Sequence, residues 1–149
     1  MLIEEKELAI ANLLVAAILT GLIWTIQVVH YPSFKYVEAS QFIEFQHRHM
    51  RNISYVVIPL MLLEVFLAIW LQMNLGGKIS TAGGVSANIL LLIIWIATFA
   101  VSSSIHSQLA TNGLDYKLIT RLVNTNWIRT IAWTLRTGIL TFIVLNLWK

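Results

Sequence analysis

Asn124-Thr125-Asn126-Trp127-Ile128-Arg129-Thr130-Ile131-Ala132-Trp133-Thr134-Leu135-Arg136-Thr137 opens the last apolar stretch of the chain, and it decides how the rest is read. Asn126, Arg129, Trp133 and Arg136 recur at spacings of three, four and three, so on a helix they form one polar and aromatic stripe. Insertion scales put an arginine at the centre of a membrane helix at roughly 2.5 to 3.5 kcal/mol, so Arg136 must face a partner or a wet cavity and not lipid. Glu64 is the only acidic residue inside any of the apolar stretches, which makes it the expected partner.

Working outward, the whole chain is apolar. Of its 149 residues 58% are hydrophobic and only 11% charged, with a mean hydropathy of +0.76. A soluble domain of this size carries about 25% charged residues, so the composition is that of an integral membrane protein with a single domain over residues 1–149. The net charge of +3 is spread over several loops and helix ends, which argues against a nucleic-acid partner. Without cysteine there is no disulfide, thiolate ligand or cysteine nucleophile. Glu4, Glu5 and Glu7 precede the first apolar run where a cleavable signal wants positive charge, so that run is read as a retained helix.

Four stretches reach the roughly 20 residues that a membrane-crossing helix needs. They cover about residues 8–29, 53–73, 85–105 and 128–148. The fold class expected is therefore all-α, a four-helix transmembrane bundle with short amphipathic helices in the first and third connections. Gly76-Gly77 and Gly83-Gly84 read as breakers in the second connection. Pro32 is expected to end helix one. Phe42, Phe45 and His49 share one face of a segment that lacks glycine and proline, so helix two should begin well before its apolar span. Leu114, Leu118, Ile119, Leu122 and Val123 predict a short amphipathic helix after Asn112-Gly113.

Lys35, Arg48, Arg51, Lys117, Arg121 and Arg129 lie on the side of connections one and three, against Lys6, Lys78 and Lys149 opposite. That bias predicts a multi-pass protein of the inner or plasma membrane, with connections one and three in the cytoplasm and both termini outside. Trp70, Trp127 and Trp148 fit the interfacial aromatic belt.

All four histidines, His30, His47, His49 and His106, fall at one end of the bundle, on three helices. Imidazole is a common ligand for iron, copper and zinc, and metal sites in bundles are built from facing helices. The plainer reading is that histidine is at home at a membrane interface. His47 and His49, two residues apart, point opposite ways, and on a straight helix His49 lies about 60° around the axis from Glu64. His49 is thus the expected inward one. Glu64 itself would lie about 17 Å deep, as a structural ion pair with Arg136 or as a working carboxylate. Trp24, Gln27 and His30 with Thr20 on helix one, and Trp95, Ser102 and His106 on helix three, extend the polar stripes inward. Phosphate loops, nucleophile elbows and the His-Glu-x-x-His zinc helix are all missing from the sequence.

Gly21-Leu22-Ile23-Trp24, Pro32 after helix one, the prehelix leading to Pro59, and above all Asn126-Trp127-Ile128-Arg129-Thr130 opening helix four resemble the small four-helix membrane proteins grouped with anthrone oxygenases. The resemblance covers nearly the whole chain in architecture, and its sharp motif is confined to Asn126–Thr130. It implies a four-helix bundle and oxygenation of an aromatic polyketide without an obvious organic cofactor.

Three functions follow as expectations. The first is a metal-dependent oxidoreductase or oxygenase in which His30, His49 and His106, with His47 or Glu64 as a further ligand, bind iron or copper. Arg129 and Arg136 would hold an oxyanion, and Trp24, Gln27, Trp95 and Trp133 would line the cavity of a small apolar substrate drawn from the bilayer. The second is haem binding by two facing histidines. The third is a non-catalytic binder or accessory subunit of a larger membrane complex, whose polar core locks the helices.

Overall fold

The computed structural model describes residues 5–74 and 81–148. Four long helices make up nearly all of it: α1 (Glu5–Tyr36), α2 (Ala39–Asn74), α3 (Ala82–Asn112) and α4 (Tyr116–Leu147). Each is long and apolar enough to cross a membrane. They form an up-and-down bundle in which α1 packs on α2 and α4, and α3 packs on α4 and α2. Leu19, Ile23, Met61, Ile94, Ile105, Trp133 and Leu140 fill its axis. Leu14, Phe66, Leu92 and Phe142, each more than half exposed, turn outward as a lipid-facing surface requires.

The helices run past the apolar spans at both ends, and the connections shrink accordingly. Val37 and Glu38, both extended, are all that separates α1 from α2. The helix expected in the third connection is no separate element, since α4 is continuous from Tyr116, where Asp115 caps it by accepting from the amides of Lys117 and Leu118 at 2.7 and 3.1 Å. Gly113 closes α3 with φ of +82°, and its N–H donates to the Leu109 carbonyl at 3.1 Å. The Gly76-Gly77 turn lies outside the described residues. Gly83 and Gly84, read as breakers, are helical instead. Gly84 is buried among residues of α2 and α4, a place where a small residue lets helices approach closely.

Pro32 does not end helix one. Ile26–His30 is a π-helical turn, closed by the Tyr31 N–H donating to the Ile26 carbonyl, and the helix continues through Pro32 to Tyr36. The wider turn meets the proline just where a regular helix would lose a hydrogen bond and clash. A second π-helical segment, Ala97–Ser102, interrupts α3. Pro59 lies within a continuous α2.

Candidate functional site

The stripe that α1 was expected to turn into a cavity faces α4 instead and acts as a zipper. Thr20 Oγ1 lies 2.8 Å from Thr137 Oγ1, Trp24 Nε1 donates to Thr134 Oγ1 at 3.1 Å, and Gln27 Nε2 donates to the Val123 carbonyl at 3.2 Å. Asn126 Nδ2 donates back to Gln27 Oε1 at 2.8 Å. Trp24 is therefore on the outer surface, 41% exposed and edge-on to Trp127, and is not among the residues walling the cavity described below. Gln27 is buried in the α1–α4 seam, fully occupied by protein. Trp95 is half-buried beside Phe99 and likewise stands outside the cavity wall.

Deeper in the bundle, Arg136 and Glu64 pair as the stripe predicts. Arg136 Nε donates to Glu64 Oε1 at 2.9 Å, Nη1 to the Ala87 carbonyl at 2.7 Å and Nη2 to Asn12 Oδ1 at 3.0 Å. Trp133 Nε1 takes the second carboxylate oxygen at 3.2 Å. All four helices thus meet on one guanidinium and its carboxylate, and each side-chain nitrogen and oxygen of the pair has a protein partner. Asn12 escaped the sequence reading, although it is the one polar residue between Glu7 and Thr20.

The cavity lies beside this cluster, toward the histidine end. It holds about 140 Å³ and is walled mostly by apolar side chains, among them Leu19, Ile23, Ile53, Val57, Met61 and Trp133. That is close to the roughly 150 Å³ of an apolar cavity that accepts benzene. Ile58 and Phe99, both exposed, place its edge at the seam of α2 and α3. Both π-helical segments border it, through Ile26 on α1 and Thr98, Phe99 and Ser102 on α3. Such segments recur at functional sites.

Its polar end is made by Tyr31, His49, His106 and Arg129. Gln46 Nε2 lies 2.6 Å from His106 Nδ1 and the Tyr31 hydroxyl 2.9 Å from His106 Nε2; with the amide nitrogen as donor, the neutral ring carries its proton on Nε2 and donates it to Tyr31, and Gln46 Oε1 is buried without a partner. Arg129 Nη2 donates to the same oxygen at 3.1 Å and is itself held by Asn126. With two N–H groups on its oxygen, the Tyr31 hydroxyl keeps its own proton free to donate. Nothing in the sequence reading marked Tyr31 or Gln46. Both are neighbours in sequence of residues it did single out, His30 and His47.

The histidines divide. His49 Nδ1 lies 3.0 Å from His30 Nε2, and Phe34 packs edge-on against both rings at 5.2 Å. His49 Nε2 is buried and has no protein partner. An orphaned buried N–H is rarer than an orphaned acceptor, so the favoured tautomer has Nδ1–H donating to His30 and a bare lone pair on Nε2. His106 stands 5.2 Å from His49, ring centre to ring centre, with both its nitrogens engaged. His47 is exposed and joins none of this, because it is two residues from His49 on the same helix and points away. Among the described residues no three histidine, aspartate or glutamate side chains form a group that could hold a metal ion. No family model, curated protein or solved structure matches the chain.

Proposed function

We propose that this protein binds a small, mostly apolar molecule carrying one hydroxyl or carbonyl oxygen, drawn sideways from the bilayer, and exchanges a proton with it. One observation carries the reading: an apolar cavity of about 140 Å³ ends in the Tyr31 hydroxyl, which the tautomer given above leaves a proton to donate, and in His49 Nε2, buried and without a protein partner. The two rings stand edge to face, 6.4 Å apart centre to centre, and both wall the same cavity. Tyr31, backed by His106 and Arg129, holds the oxygen, and His49 Nε2 takes the proton from that oxygen or from the adjacent carbon. This is the donor and acceptor arrangement of general acid–base catalysis at a carbonyl or phenol. Oxygenation of an aromatic, the activity implied by the resemblance to anthrone oxygenases, would begin with such a proton loss.

The exposed Ile58 and Phe99 at the α2–α3 seam support entry from the acyl-chain region. The lysine and arginine bias supports a cytoplasmic histidine end in an inner or plasma membrane. The test is titration of the purified protein in lipid nanodiscs with para-nitrophenol, whose colour reports loss of its proton. Saturable binding with a shift toward the phenolate is expected, and Met61→Trp, which fills the cavity from a fully buried position, abolishes it. Absence of saturable binding by small phenols and ketones alike would instead favour a non-catalytic accessory bundle.

A further inference from the structure

A second hollow of about 350 Å³ lies on the other side of His49, open at the surface between α1 and α2 and bordered by His30, Phe45, Arg48 and Asn52. His49 and Ile53 are the two residues that wall both it and the inner cavity. His30 lines only the outer one. We infer that His49 and His30 form a proton relay joining the ligand cavity to the outer cleft, with His30 as the exit group. The inference rests on the ligand reading above and adds where the proton goes.

The geometry gives each nitrogen a part. A proton from the ligand's O–H or C–H forms the new N–H bond at His49 Nε2. The His49 Nδ1–H bond then breaks toward His30 Nε2, along the 3.0 Å contact between them. His30, half-buried, gives up its Nδ1 proton to water in the cleft. Charge balances at each transfer, the ligand keeps the electron pair as its anion, and both rings end as the opposite neutral tautomers, to be reset by return of a proton along the same path. The surroundings favour passage over storage of charge. Arg129 and His106 stand on the cavity side, Arg48 on the cleft side is paired with Glu44 at 2.8 Å, and Phe34 and Phe45 flank the rings.

The test follows para-nitrophenol bound to the protein in nanodiscs after a pH jump, by stopped-flow absorbance, with affinity measured in parallel. His30→Gln leaves an acceptor for the His49 N–H, so the ring keeps its place, but an amide does not pass the proton on. Ionisation of the bound probe slows on the order of 100-fold in His30→Gln, and imidazole added to the buffer restores it. Equal rates in His30→Gln and the unaltered protein overturn the relay. Nitrogen NMR of histidine-labelled, ligand-free protein decides independently of any ligand. A His49 ring bare at Nε2, with its Nδ1–H bonded to His30, supports the relay, and a proton found on His49 Nε2 overturns it. Failure of the probe to bind tells against the cavity reading of the preceding section, and the relay then stands or falls on the tautomer.

Discussion

Glu64 on α2 and Arg136 on α4, neither exposed at all, close a 2.9 Å ion pair in which every side-chain nitrogen and oxygen has a protein partner. The pair ties all four helices together, and neither of its residues lines the cavity. Glu64→Leu strands the guanidinium in the core and is expected to cost about 3–5 kcal/mol, while Glu64→Leu combined with Arg136→Met recovers most of that. Thermal unfolding in detergent measures both. A single variant as stable as the parent would show that the carboxylate does not hold the helices.

Tyr31→Phe removes the oxygen on which His106 and Arg129 converge. Two buried donors lose their acceptor, so about 1–3 kcal/mol of stability goes with it. Affinity for para-nitrophenol falls about tenfold, the equivalent of one hydrogen bond. A binding titration beside a melting curve separates the two effects.

His49→Ala and His47→Ala differ by two residues and should differ completely in outcome. His49→Ala takes away the buried acceptor, and the bound phenol then keeps its proton. His47 faces away from the cavity, so His47→Ala behaves as the parent in binding and melting. Equal effects of the two changes on the spectrum of bound phenol would mean that charge at this end of the bundle matters and position does not.

Gly113→Ala probes the tight link from α3 to α4. A methyl group there has room, its nearest neighbour being Ile43 at 3.7 Å, so the cost is that of the backbone at φ +82° alone. About 1–3 kcal/mol of destabilisation is expected, read again by melting, with ligand binding unchanged.

The sequence makes the fold legible because the signal is strong: four apolar runs, few charges, and an arginine that had to find the one buried carboxylate. Arg136 and Glu64 meet as that constraint demands. The placing of His49 inward and His47 outward also follows from helical periodicity alone. What periodicity could not give is which neighbour a polar face meets. Thr20, Trp24 and Gln27 form a stripe, but only packing decides that this stripe meets α4, while Leu19, Ile23 and Ile26 of the same helix face the cavity. The same is true of Tyr31, whose value comes from two donors on other helices, and of Asn12, which completes the shell of Arg136.

The π-helical turn at Ile26–His30 has a consequence for the rotational phase of α1. One residue more than an ordinary turn holds is wound in there, so Thr20 and Trp24 before it and Tyr31 after it are offset by about 100° from where an uninterrupted helix would set them. Deleting Val28 or Val29 restores regular pitch and swings one half of α1 past the other by that angle. Such a protein can keep its seam with α4 or its hold on His49 and His106, and loses whichever it does not keep.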